Sequence, residues 1–361
     1  MGGNKPIWVT GFMSGTSLDG VDAACLLTDG VDICEFGPSV YRPYSAAERQ
    51  MLQGVLGKWP GAPGLEPVSK LIMAAHLEAW SQLPPAELIG FHGQTLCHDP
   101  QNSRTHQLGS GSELARRAGT AVAWDFRSED VGCGGQGAPL APIFHWALAR
   151  YKQIEEPMAI VNLGGVGNLT WIDARLPAEQ GLLAFDTGPA NAPLNDFMMK
   201  TTGHPYDVGG ALAASGRVDE ELVALFLQRP YFSRSAPKSL DRDSFSDMVE
   251  LVAQLAPADA AATLTALCVA AIEAALPLIP VQPKQVWISG GGRKNIEIMR
   301  QLAMKLPMKV YDIDDIGLDG DMLEAQAFAY LAARVARGLA TSFPATTATK
   351  APLCGGKISL P

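Results

Sequence analysis

Twice in this chain an apolar run enters a turn of small residues and a second apolar run leaves it. From Ile7 to Leu27 the turn reads Met-Ser-Gly-Thr-Ser-Leu-Asp-Gly, with Gly11, Gly15 and Gly20 inside the segment. From Met158 to Ile172 the turn Gly164-Gly165-Val166-Gly167-Asn168 lies between Ile160-Val161-Asn162-Leu163 and Leu169-Thr170-Trp171-Ile172. Both are hairpin signals with a wide small-residue tip. Two such hairpins roughly one domain apart predict an α/β chain of two related halves that face each other. At ~150 residues per domain, a length of 361 with 47% hydrophobic residues also favours two domains over one. The boundary is expected near 150, giving domains 1–150 and 151–361, with the last helix able to pack back on the first.

Charge narrows the partners. A net charge of -9 supplies no basic footprint for nucleic acid or an anionic membrane, so phosphate has to be held locally. Cys25, Cys34, Cys97, Cys133, Cys268 and Cys354 form no C-x-x-C pair, which fits reduced thiols in a cytosolic protein. No signal peptide is read before Ile7, and Pro6 stands where a myristoylation signal needs Ser or Thr. The apolar stretch Ala260 to Ile279 is interrupted by Glu273 and Pro277; it reads as a buried helix and not a membrane span.

The remaining chain alternates helical and strand signals. Leu71, Ile72, Ala75 and Ala79 share a helical face before Pro84-Pro85. A strand at Leu88 to Phe91 leads into His92-Gly93-Gln94-Thr95, and another from Ala121 leads into the charged turn Asp125 to Asp130 and the cluster Gly132, Gly134, Gly135, Gly137. An apolar strand ends in Asp186, and a basic and polar loop runs from Ser233 to Phe245. Gln285 to Ser289 runs into Gly290-Gly291-Gly292-Arg293-Lys294-Asn295, and a helix from Asp321 to Arg334 carries Glu324. From Thr341 onward the Thr-, Ala- and Pro-rich tail is expected to be irregular.

Several of these places can carry chemistry. Gly15-Thr16-Ser17 offers unobstructed backbone N–H groups and two hydroxyls, as a phosphate cradle requires, and also fits a plain hairpin turn. No Walker lysine follows, so it is not a P-loop. A metal must then neutralise a triphosphate, and Asp19 or Asp22 could hold magnesium through water or merely cap the turn. Gly164-Gly165 repeats the cradle, and Gly290-Gly291-Gly292 opens a helix where backbone can approach a nucleotide or simply pack closely. Asp186 can be a general base or a helix cap. Glu324, on a helix of Met322, Leu323, Ala325, Ala327 and Phe328, is a pocket carboxylate or a solvated one. His92, His98 and His106 with Cys97 match no zinc spacing. Asp125 and Asp130 could be paired hydrolase carboxylates or part of a loop that positions a substrate.

Taken together, Met13-Ser14-Gly15-Thr16-Ser17-Leu18-Asp19-Gly20-Val21-Asp22, His92-Gly93-Gln94-Thr95, Asp125-Phe126-Arg127, Gly134-Gly135-Gln136-Gly137-Ala138-Pro139-Leu140 and Phe185-Asp186-Thr187-Gly188-Pro189 closely resemble the anhydro-N-acetylmuramic acid kinase family. Asn162-Leu163-Gly164-Gly165, Pro237-Lys238-Ser239, Gly290-Gly291-Gly292 with Asn295, and Met322-Leu323-Glu324-Ala325 continue it in order across essentially the whole chain. Ala190 stands where the family usually has Gly, and Ser128-Glu129 replaces a more basic pair. The resemblance implies two actin-like (ribonuclease H-like) domains of the sugar kinase/Hsp70/actin fold with a central nucleotide cleft. It implies an ATP- and Mg2+-dependent kinase of peptidoglycan recycling, cytoplasmic and homodimeric. By residue, it implies nucleotide contact from Gly15, Thr16, Ser17, Leu18, Asp19, Gly20, Val21, Asp22, Gly164, Gly165, Gly290, Gly291, Gly292 and Asn295. Asp186 would be the base, and His92, Gly93, Gln94, Thr95, Arg127, Asp130 and Glu324 would face the sugar. The alternatives are a kinase for an ordinary hexose or N-acetylhexosamine on the same fold, or a nucleotide-driven binding or chaperone module. The last expects a peptide-binding domain for which there is no room, and a sugar-responsive repressor expects a basic helix-turn-helix that neither terminus supplies.

Overall fold

A computed structural model describes residues 5–15, 17–240 and 242–361. The chain forms two compact units: one comprises everything up to Gln153 together with Met322–Pro361, the other Ile154–Asp321. The first unit therefore closes on the end of the chain: residues 322–361, which the sequence division placed in the second half with a last helix able to pack back, group with it.

In chain order the strands are β1 (Ile7–Ser14), β2 (Gly20–Thr28), β3 (Ile33–Pro43), β4 (Leu88–Asp99), β5 (Arg104–Leu108), β6 (Ala121–Trp124), β7 (Met158–Leu163), β8 (Val166–Ile172), β9 (Leu182–Pro189), β10 (Gln285–Ser289), β11 (Lys309–Asp312) and β12 (Lys357–Ser359). The first unit's sheet runs β12-β6-β4-β1-β2-β3, with β5 paired to β4. The second runs β11-β10-β7-β8-β9. In each, the first strand is central, with an antiparallel meander on one side (β2 and β3; β8 and β9) and parallel strands on the other (β4 and β6; β10 and β11). The repeated hairpin of the sequence is thus the visible part of a repeated sheet topology.

The central strand β1 is buried on both faces, as a strand covered by helices must be. Phe12 points toward the helix Leu65–Trp80, in a core with Ile72 and Met73, and its ring meets His76 at 5.4 Å. The opposite face is a platform of glycine. Gly11 pairs with Gly90 across β1 and β4. A Cβ on Gly11 would overlap Ala325 O and Ala329 N, and one on Gly90 would overlap Phe328 O. The alanine-rich helix Leu323–Ala336 can therefore lay its backbone directly on the sheet, which is why this late segment belongs to the first unit.

The tail after Thr341 is ordered, contrary to expectation. Ser342 bridges to Leu353, Pro344–Thr347 is a helical turn, and β12 pairs antiparallel with β6. Thr341, Ser342, Thr346, Thr347 and Thr349 are buried, and the hydroxyls of Thr341, Thr346 and Thr347 act as interior hydrogen-bonding groups.

In the second unit the helix Pro257–Ala275 is apolar and long enough, with its following turn, to cross a membrane by composition. Its side chains are instead buried against the sheet and against Leu194, Phe197, Phe226 and Met248, which makes it the core helix expected from Glu273 and Pro277.

Candidate active site

The first hairpin tip presents Gly15, half-buried, and Ser17 and Asp19, both exposed; Thr16 lies outside the described residues. Ser17 Oγ donates to Asp19 Oδ1 at 2.8 Å, and the Asp19 carbonyl accepts from Tyr44 N and Tyr41 OH. Leu18 and Val21 are core side chains and Gly20 is buried under Tyr41 and Arg42. Of the expected nucleotide contacts in this stretch, those three are buried and act as the tip's foundation. Asp22 is half-buried on β2.

Gln94 also belongs to that foundation. It is fully buried; its Oε1 accepts from Ser14 Oγ at 2.5 Å and its Nε2 donates to Gly15 O at 3.1 Å. Both ends of the amide are occupied, so the expected sugar contact is a brace for the tip. Gly93, at φ 74°, packs so that a Cβ would come to 2.9 Å from Leu108 O, and Thr95 Oγ1 accepts from Gln107 Nε2.

His92, Arg127 and Glu324 come together in the first unit. Arg127 Nε donates to His92 Nε2 at 3.0 Å and Nη1 to Gly137 O at 2.6 Å. His92 is buried, its ring 4.5 Å from that of Phe328, and its Nδ1 has no hydrogen-bond partner among the described residues. Burial first, then the Arg127 charge, holds the His92 imidazole well below its ordinary value, so the ring is neutral and can accept. Glu324 is solvent-reachable yet ringed by protein; desolvation, opposed by Arg127 and aided by Asp19, raises its carboxyl pKa. Desolvation lowers the Arg127 pKa, against the pull of Glu324 and Asp130. A cation, a neutral imidazole and a carboxylate of raised pKa gathered here make one polar receptor surface in the first unit.

Asp130 is not part of that receptor. It is wholly buried, with Oδ1 accepting from Gly137 N at 2.6 Å and Oδ2 from Thr347 Oγ1 at 2.7 Å. Its expected sugar contact is corrected to an internal one. Asp125, held at φ 58°, accepts from Ser128 Oγ and pairs with Lys357 at 2.6 Å. Ser128 and Glu129 are exposed.

In the second unit, β7 and β8 carry the second tip. Gly164 O accepts from Asn191 N, and Gly165 O from Ala190 N and Ala192 N, leaving the tip's own N–H edge unobstructed by a side chain. Asn191 Nδ2 donates to Leu163 O at 2.7 Å, and a Cβ on Gly292 would lie 2.5 Å from Leu163 Cβ and 2.9 Å from Asn191 Oδ1. Gly290, at φ 77°, would overlap Asn162 Oδ1 with any Cβ. The glycine triplet and the second tip are thus packed together, with Gly291 exposed. Asn295 caps the helix Ile296–Lys305, accepting from Glu297 N and Ile298 N at 3.1 Å; its oxygen is used by the helix, not by a ligand. Ala190 is buried at φ -119° and ψ -109°.

Asp186 lies on β9 opposite Asn168, two residues before Gly188, which pairs with Gly167 of the second hairpin. It is half-buried, and Oδ2 accepts from Leu240 N at 2.8 Å. Tyr231 OH donates to Asp186 O at 2.5 Å and Asp186 N to Lys238 O at 2.9 Å. The loop after residue 230 therefore holds both the backbone and the carboxylate of Asp186.

Lys238, buried, donates from Nζ to Tyr231 O at 3.1 Å and sits 4.4 Å from the Tyr231 ring. Sequence reasoning gave no role to Lys238, Tyr231 or Asn191, whose partners are remote in the chain. Among the described residues no three His, Cys, Asp or Glu side chains gather as a metal site; His98 and His106 are engaged by Thr105, Gln136 and Lys58.

Residues 7–360 match the family described as anhydro-N-acetylmuramic acid kinase. A relative of that name from Cereibacter sphaeroides is 53% identical over 358 residues, covering 98% of this chain and 96% of its own. Anhydro-N-acetylmuramic acid kinase 1 of Jannaschia sp. is 51% identical over 359 residues, covering 99% and 96%. Among solved structures, a ROK family glucokinase from Streptomyces griseus in complex with glucose and AMPPNP aligns with TM-score 0.42 at 13% identity, covering 90% of this chain and 99% of its own.

Proposed function

Since this chain belongs to the anhydro-N-acetylmuramic acid kinase family, we propose that Asp186 is the base through which it converts 1,6-anhydro-N-acetylmuramic acid, ATP and water to N-acetylmuramic acid 6-phosphate and ADP. The bridged sugar has no free hydroxyl at carbon 6. Asp186 takes a proton from water as the water oxygen bonds to carbon 1; the bond from carbon 1 to oxygen 6 breaks, and oxygen 6 takes the γ-phosphoryl group. Hydrolysis and phosphorylation are coupled, in the recycling of cell-wall peptidoglycan.

The observation that carries this assignment is the fixed carboxylate of Asp186, aligned by Leu240 N and set beside the second glycine tip. The N–H groups of Gly15, Ser17, Gly164 and Gly165, which no side chain of their own obstructs at the glycines, suit phosphate oxygens, and Gly290 to Gly292 suit close approach of the nucleoside. Arg127, His92 and Glu324 hold the sugar and its carboxylate. Magnesium bound with ATP supplies neutralising charge to the triphosphate. Exposed Asp19, beside Ser17, and Asp22 are the carboxylates that would hold it through water, a donor set that fits a mostly hydrated ion. Six cysteines free of disulfides and ATP as co-substrate support a cytoplasmic setting; homodimeric assembly belongs to the same reading and is checked by mass in solution.

The test is ADP release with 1,6-anhydro-N-acetylmuramic acid, N-acetylglucosamine and glucose, run in oxygen-18 water. Release with the anhydro sugar alone, and label at carbon 1 of the product, is expected. Release with glucose, or product without label, overturns the reading.

A further inference from the structure

The loop Cys133–Pro139 bears on Arg127, and the chain's last segment fastens it. Gln136 N donates to Thr347 O at 2.6 Å, and Gly135 N to Asp130 O at 2.8 Å. Thr347 Oγ1 donates to Asp130 Oδ2, and Asp130 Oδ1 accepts from Gly137 N. Gly137 O then receives Arg127 Nη1 at 2.6 Å, and Arg127 Nε reaches His92 Nε2. Thr347 and Asp130 are both 0% exposed. A buried carboxylate is tolerated only where donors satisfy it, so the Thr347 hydroxyl cannot be removed without freeing one oxygen of Asp130. The packing leaves no slack: a Cβ on Gly135 would overlap Asp130 Oδ1 and come to 2.6 Å from Thr349 Cγ2.

We propose that Thr347 is a positioning residue for the sugar-binding guanidinium, acting through Asp130 and the Gly134–Gly137 backbone to fix Arg127. This rests on the reading that Arg127 contacts the sugar. Among the described residues Arg127 hydrogen-bonds the loop through one carbonyl, that of Gly137, and Gly137 stands at φ 66°. When the loop relaxes, the guanidinium loses its aim while the hairpin tips and Asp186 keep theirs. A displacement of ~1 Å in such a group can lower efficiency by up to roughly a hundredfold.

The experiment compares Thr347→Val, Thr347→Ser and Arg127→Ala in steady-state kinetics with each substrate varied, alongside unfolding midpoints. Thr347→Val is expected to raise KM for the anhydro sugar roughly tenfold with KM for ATP unchanged. Thr347→Ser, which keeps the hydroxyl, restores the sugar KM, and Thr347→Val adds little in the Arg127→Ala background because that guanidinium is already gone. An unchanged sugar KM in Thr347→Val, or sugar and ATP KM rising together, overturns the proposal. Should Thr347→Val not fold, Asp130→Asn is judged by the same split. If Arg127→Ala itself leaves the sugar KM unchanged, the sugar-site reading falls first; if only the Thr347 variants are silent, this inference falls alone.

Discussion

The backbone N–H of Leu240 points at the Asp186 carboxylate, 2.8 Å from Oδ2, across a loop that also receives the Asp186 N–H on Lys238 O. Asp186→Asn preserves shape and can keep its carbonyl oxygen on Leu240 N, but it cannot take a proton from water. Turnover should fall by about 10²–10⁴ with ATP affinity within twofold of the parent, as read by single-turnover kinetics and nucleotide titration. Near-normal turnover in that variant refutes the base assignment.

Lys238 should make stability depend on pH. Burial, then the charge of Arg234, brings its pKa down to about 8 from the ordinary 10.5. The unfolded chain then binds more protons than the folded one between these values, so stability rises with pH through that window, by about 1.4 kcal/mol per unit at most. Below pH 8 both states are protonated and the slope vanishes. Lys238→Met lacks the rise. Denaturant midpoints of parent and variant should therefore diverge between pH 8 and pH 10 in the parent's favour; parallel profiles count against a buried, depressed lysine.

Substitution at Gly11 tests the platform on which the late helix rests. A methyl group there overlaps the backbone of Ala325 and Ala329, and backbone cannot yield as a side-chain end can. Gly11→Ala is expected to lower stability by at least ~1–3 kcal/mol, the usual range for overpacking, seen as a lower urea midpoint. A midpoint equal to the parent's means the helix stands farther off the sheet.

Arg293, 2% exposed, pairs with Asp312 at 3.4 Å, Asp314 at 3.0 Å and Asp321 at 2.9 Å, and Nη1 also donates to Gly290 O. Removing it leaves three part-solvated carboxylates in repulsion and releases the glycine turn. Arg293→Met should cost about 2–4 kcal/mol of stability and raise KM for ATP more than for the sugar. Arg293→Lys recovers only part, since one ammonium cannot replace the planar fork. Equal effects on both substrates would separate this cluster from the nucleotide.

The two hairpins were legible because strand alternation and glycine turns are local signals; the strand expected to end in Asp186 was legible too, but it runs on to Pro189. Long-range partners were not. Gln94 and Asp130 look like ligand groups in a loop motif, and only the fold shows their oxygens consumed by Ser14 Oγ, Gly137 N and Thr347 Oγ1. Thr347 stands 217 residues from Asp130, beyond any pattern of spacing. Glu324 reads as a solvated helix residue and is indeed exposed; what the sequence does not show is that the fold sets the charges of Arg127 and Asp19 near it. Asn295, beside the glycine triplet, also caps the following helix through its oxygen, a use that the sequence leaves open.

The seating of Leu323–Ala336 on Gly11 and Gly90 sets an order for birth on the ribosome. Strands from the first hundred residues emerge early, yet the cover for one of their faces is translated only near the finish. Ile154–Asp321, by contrast, has all its strands in one uninterrupted stretch. The middle of the polypeptide can mature first while its opening portion waits, sticky and incomplete, for the last codons, and a stalled or prematurely terminated message would deliver that unfinished face to chaperones and proteases.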